Sequence, residues 1–148
     1  MTSNNREQRT RGLRLARVLL VDDNPTSRLT LQTVLKAGGY QVEAAASGAE
    51  AIQKLDSHEY DLVLSELRME SPEAGLKVLA HARMMDYRPA TALVTAYSPE
   101  RSQAPWPRSR RKLLIKPEDL PDLLTKVADL VSERATRKVH RELRLAHI

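Results

Sequence analysis

The chain has 148 residues, enough for one domain with its own core and too few for two ordinary ones. It contains no cysteine, which excludes disulfides and thiolate chemistry, and its four histidines are scattered without metal-ligand spacing. The net charge of +5 sits at the ends: residues 1–17 hold five arginines and one glutamate, residues 133–148 hold five basic and two acidic groups, and the mildly acidic middle argues against a general polyanion-binding core.

Residues 1–15 are basic, polar and aperiodic and are expected to be disordered. The start also lacks a signal peptide's apolar segment. No apolar run approaches the roughly 18 residues of a membrane span, so a cytoplasmic protein without membrane association is expected. The run Val18 to Val21 reads as a first strand. Asn24-Pro25 then supplies a helix cap and a first-turn proline, Leu31, Val34 and Leu35 a buried stripe, and Gly38-Gly39 a stop. Val42 to Ala46 is a second strand, and Ser47 with Glu50 forms a capping box ahead of Ala51, Ile52 and Leu55. Leu62 to Ser65 is a third strand, Leu76, Leu79 and Ala80 share one face of a third helix, and Ala92 to Val94 is a fourth strand. A helix could open at Ser98-Pro99-Glu100, but Pro105 and Pro107 must end it, so it is short or absent. Leu113 to Ile115 is the fifth strand. After it, Leu120, Leu123, Leu124, Val127, Leu130 and Val131 face inward on a last helix that finds no stop, and Ala135, Val139, Leu143 and Ala146 carry a thin apolar stripe onward among arginines.

Strands alternating with helices imply an α/β fold of the flavodoxin-like, doubly wound kind: five parallel strands with helices on both faces. Residues 16–132 form the domain, and residues 133–148 a basic helical extension. The strand-like runs end at polar groups: Asp22 and Asp23, Glu66, Thr95, and Lys116. Ligands of such sheets sit outside the carboxyl ends of the strands, so three acids, a hydroxyl and an ammonium converge at one edge. Each has an ordinary alternative. The acidic pair can be a solvated turn leading to the Asn24 cap, Thr95 a strand-end hydroxyl, and Lys116 a neutralising partner.

The segments Val-Leu-Leu-Val-Asp22-Asp23-Asn24, Tyr60-Asp61-Leu-Val-Leu-Ser-Glu66-Leu-Arg68-Met69, Leu-Val-Thr95-Ala96-Tyr97 and Leu-Leu-Ile-Lys116-Pro117 together resemble the receiver domain of two-component response regulators. The resemblance implies a non-enzymatic signalling module whose acidic pair helps bind magnesium. An aspartate ending the third strand would accept a phosphoryl group, which the threonine, the small residue beside it and the lysine contact. Carried over by position, the metal ligands are Asp22, Asp23, Glu66 and the backbone carbonyl of Arg68, with magnesium weak or absent. The phosphoryl pocket is Thr95, Ala96 and Lys116.

The acceptor position itself holds Glu66. Leu113 stands where the family has an aromatic switch, Glu70 where it has a proline, and Gly75 lies one residue further along than expected. These departures favour a stand-alone, atypical receiver that binds a signalling partner, a histidine kinase or downstream effector, independently of phosphorylation. The surface from Trp106 through the last helix would serve as contact, with a homodimer also open. Trp106 has the alternative of capping the core between two prolines. A working phosphoacceptor fed by a histidine kinase is the second reading, and weak nucleic-acid association through the basic tails ranks last. For Glu66 two outcomes stay open, imitation of the phosphorylated charge pattern or a silenced, structural site.

Overall fold

The computed structural model describes residues 15–95, 112–115 and 120–146. Within them the chain runs β1 (Arg17–Val21), α1 (Pro25–Ala37), β2 (Gln41–Ala45), α2 (Gly48–Ser57), β3 (Leu62–Ser65), α3 (Ala74–Arg83), β4 (Ala90–Thr95), β5 (Lys112–Ile115) and α4 (Leu120–Ala146). The strands form one parallel sheet in the order β2-β1-β3-β4-β5. The α/β fold expected from the alternation is therefore present. The expected break between the fourth and fifth strands, including Trp106, lies outside the described residues.

Strand side chains alternate between faces, and the alternation splits the core in two. Val18, Leu20, Leu62, Leu64, Ala92 and Val94 pack on one face against Leu31 and Leu35 of α1 and Leu123, Val127 and Leu130 of α4. Leu19, Val21, Val63 and Leu93 pack on the other against Ala51 and Leu55 of α2 and Val78, Leu79 and Ala82 of α3. Each fully buried leucine or valine contributes roughly 1.5–3 kcal/mol of transfer free energy, so the continuous apolar runs are what hold both helix layers to the sheet. In α3 the inward face is Ala74, Gly75, Val78, Leu79 and Ala82. Ala80, which the periodicity placed with Leu79, is exposed. The helix enters one residue out of the phase assumed, because Gly75 rather than Leu76 meets the sheet.

Local signals act where they stand. Asn24 caps α1, its side chain accepting from the Ser27 N–H at 3.0 Å. Gly39, at φ 96°, ends it: its N–H donates to Lys36 O and the Tyr40 N–H donates to Leu35 O, the paired bonds of a Schellman stop that a residue without Cβ adopts freely. Ser47 caps α2 by accepting from the Glu50 N–H, but Glu50 returns its carboxylate to the Ala46 N–H, one residue before the cap. The last helix is continuous over its 27 residues, so the extension after 132 prolongs α4 without a break. No helix among the described residues is long and apolar enough to cross a membrane.

Candidate functional site

The strand order reverses between β1 and β3, and there the carboxyl ends of the two strands lie side by side, Val21 level with Ser65. A doubly wound sheet opens its crevice at this point. Asp22 and Glu66 follow directly on the two strand ends, and the Glu66 N–H donates to Val21 O at 2.8 Å. Parallel register is what brings together two acids far apart in sequence.

The acidic pair divides. Asp22 is buried and Asp23 exposed. Asp22 thus departs from the solvated-turn reading: its Oδ1 accepts from the Asn24 N–H at 3.0 Å, and its backbone carbonyl accepts from the Arg28 guanidinium at 2.9 Å. The Asn24 bond offsets part of the cost of burying the carboxylate. Glu66 is half-buried, and its Oε1 accepts from the N–H of its own neighbour Leu67 at 3.0 Å. Arg68 is exposed on the following loop. Among the described residues no three His, Asp or Glu side chains are grouped as metal ligands. The backbone of Thr95 ends β4 level with Ile115, and Leu113 lies in β5 level with Leu93. Ala96 and Lys116 lie outside the described residues.

Two residues that stand out in the sequence only as departures shape the loop after Glu66. Gly75 opens α3 directly under the end of β3; its N–H donates to Leu67 O at 2.9 Å, and a Cβ there would lie 2.0 Å from the carbonyl oxygen of Glu66. Glu70 reaches across to α2, its two carboxylate oxygens accepting from the N–H groups of Gly48 at 2.7 Å and Ala49 at 3.2 Å. A carboxylate at a helix N-terminus satisfies orphan donors and complements the helix dipole. The Gly48 N–H chiefly, with Ala49 adding, holds the Glu70 carboxyl below its ordinary range despite some desolvation.

A depressed carboxyl contributes stability that is complete above its unfolded pKa and is lost as pH falls through the lower folded one. Glu70→Ala is therefore expected to cost about 0.5–2 kcal/mol at neutral pH, toward the low end because the group is exposed. The gap from wild type should close as the solution is acidified below the ordinary carboxylate range. Urea unfolding at several pH values checks this; a pH-independent gap would show that the carboxylate charge plays no part.

At the opposite end of the sheet a polar network closes the fold. Arg17 pairs with Glu43 at 2.8 Å, Tyr60 donates to Glu43 at 2.6 Å, and the Arg17 guanidinium lies over the Tyr60 ring at 5.4 Å. The Tyr60 hydrogen bond, then Arg17, lowers the Glu43 carboxyl, while burial first and Glu43 second raise the Tyr60 phenol. Asp61 accepts from the Arg17 N–H at 2.7 Å and from Arg134 of α4 at 2.8 Å.

The sequence matches the response regulator receiver domain family over residues 18–128. Its relatives include the gliding motility regulatory protein of Myxococcus xanthus, 40% identical over 78 residues that make up 53% of this chain and 10% of that protein. Sensor protein GacS of Pseudomonas syringae pv. syringae is 35% identical over 94 residues, 64% of this chain and 9% of that protein. The chain thus spans about a tenth of the length of these two relatives. Among solved structures, the response regulator TrrA of Thermotoga maritima, crystallised with Mg(2+)-BeF, superposes with a TM-score of 0.66 at 31% identity, covering 78% of this chain and 99% of that one. TrrA in complex with histidine kinase ThkA superposes equally, at 0.66 and 32% identity over 78% of this chain and 98% of that one. With the fold, the paired strand ends and the matched span in agreement, the chain belongs to the response regulator receiver domain family.

Proposed function

We propose that this receiver acts by binding a signalling partner without running an ordinary phosphorylation cycle, and that it performs no catalysis of its own. The observation that carries the reading is Glu66: at the acceptor position its carboxylate rides on one methylene more than an aspartate, and its Oε1 is turned onto the Leu67 N–H. The extra methylene moves the oxygens by roughly an ångström, and misplacement of about 1 Å can cost on the order of a hundredfold in a transfer that depends on positioning. Glu70 ties the loop after Glu66 to α2, and Gly75 seats α3 under it, so the segment is held from both ends. Magnesium binds weakly or not at all at Asp22, Asp23, Glu66 and the Arg68 carbonyl, because the ion demands near-octahedral oxygen geometry and Lys116 offsets part of the acidic charge.

The partner class is a histidine kinase or a downstream effector, by likeness to TrrA, which was crystallised in complex with histidine kinase ThkA. The contact surface assigned to it runs from Trp106 through the last helix, and the same surface would serve a homodimer. Thr95, Ala96 and Lys116 complete the pocket in this reading, with Leu113 at the switch position. The competing reading, a working phosphoacceptor, draws on the buried Asp22 beside Glu66 and on the capture of TrrA with Mg(2+)-BeF.

Intact mass after incubation with acetyl phosphate and magnesium separates the two. Wild type is expected to gain little or no phosphoryl mass, and Glu66→Asp to gain it in part. Rapid, nearly complete, magnesium-dependent labelling of Glu66 would overturn the proposal in favour of the phosphoacceptor.

A further inference from the structure

The helical extension carries a basic face whose charges the partner-binding reading leaves without a role. Arg137, Arg141 and Arg144 recur at four- and three-residue intervals along α4 and so share one helix face, with Lys138 on its flank. This face lines one wall of a groove of about 260 Å³, with His140 beside it and Arg88 on the opposite wall. Among the described residues no carboxylate lines the groove, and Arg88, Arg137, Lys138, Arg141 and Arg144 make no ion pair with any of them.

The wall opposite α4 is built rather than fortuitous. Arg88 takes the left-handed φ of 41°, unusual for a residue with a side chain, immediately before Pro89. Arg134 fastens that turn to the helix: its Nη2 donates to Tyr87 O at 2.7 Å, its Nε to Arg88 O at 3.2 Å, and its Nη1 to Asp61 at 2.8 Å. Arg134 is therefore consumed in building the groove, and the other cations stand free of it. Like charges at these helical spacings repel one another, so the helix bears a cost that a bound anion would remove.

We propose that this groove binds a short polyphosphate chain, such as inorganic tripolyphosphate, through Arg88, Arg137, Lys138, Arg141 and Arg144. Charge density selects this class. Successive phosphates of such a chain share a bridging oxygen and deliver several negative charges into a space smaller than an ordinary ligand pocket of roughly 300–1,000 Å³. An acidic peptide spreads one charge per side chain along an extended backbone, and a nucleic-acid backbone separates its phosphates by a sugar, so neither brings several charges into this groove at once. The described residues of the lining include no phenylalanine, tyrosine or tryptophan on which a base would stack, and their donors favour recognition of the phosphates. Arginine's planar fork of donors suits phosphate oxygens.

Isothermal titration of the full chain with sodium tripolyphosphate tests the assignment. One site per chain is expected, weakening steeply between low and moderate salt, with ATP binding no more tightly than tripolyphosphate. R137Q/R141Q on one wall and R88Q on the other should each reduce affinity at least tenfold, with circular dichroism showing the helix retained. Removing charge from the N-terminal segment by R6Q/R9Q/R11Q/R14Q should change affinity less than twofold. Absence of binding to wild type, equal loss in the N-terminal variant, or tighter binding of duplex DNA or polyglutamate at matched charge would each overturn the proposal. Full affinity in R88Q and R137Q/R141Q would do the same.

Discussion

Gly75→Ala is expected to destabilise the domain by about 3 kcal/mol, the upper part of the range for overpacking a well-filled interior. The added Cβ would lie 2.0 Å from Glu66 O and 2.8 Å from the Leu67 Cα, both backbone atoms that cannot swing aside as the end of a flexible side chain can. Helix propensity alone predicts the opposite sign, since alanine is favoured over glycine within a helix by up to about 1 kcal/mol. The clash outweighs that preference and decides the outcome. Relief requires α3 to move off β3, which would carry Glu66 with it, so the substitution should disturb the acceptor position as well as the core. Urea unfolding gives the free energy and the amide resonances of residues 66–68 report the displacement. A variant as stable as wild type would mean that α3 does not press on the strand end as described.

Arg134→Ala should be nearly as damaging and more local. Arg134 and Asp61 are 12% and 13% exposed, so the pair is largely removed from water, and the guanidinium also satisfies the carbonyls of Tyr87 and Arg88. Removing one member of a buried pair costs about 3–5 kcal/mol. The lower figure is expected here, because Asp61 retains the Arg17 N–H at 2.7 Å. Arg134→Lys keeps the charge but cannot bond three acceptors in different directions, and should recover only part of the loss. Hydrogen exchange gives the structural readout: amides from 134 to the end of α4 should lose protection in Arg134→Ala while the sheet keeps its own. Unchanged exchange, with unfolding within about 0.5 kcal/mol of wild type, would place the extension outside the cooperative unit.

How much of this was legible beforehand follows from how far each signal reaches along the chain. The strands, the Asn24 cap, the Gly39 stop and the inward stripe of α4 are set by neighbours within one or two turns, and the sequence by itself determined them. That β1 and β3 end side by side, Val21 level with Ser65, was also readable, because parallel strands buried on both faces must end at one edge whatever the details of their register. The Glu50 return to Ala46 and the exposure of Ala80 were each missed by a single residue. Helical spacing gives the stripe but not its phase against the sheet, which Gly75 sets by close approach.

What only the tertiary structure decided are the long-range polar bonds. Glu70 meets Gly48 across 22 residues and Arg134 meets Asp61 across 73, and in the sequence the first looked like a lost proline and the second like one arginine in a basic tail. Burial of Asp22 but not Asp23 belongs with them. A hydrogen bond depends on direction and on distances of a few tenths of an ångström, which carry no periodicity along the chain, whereas apolar burial depends on area and leaves its period in the sequence.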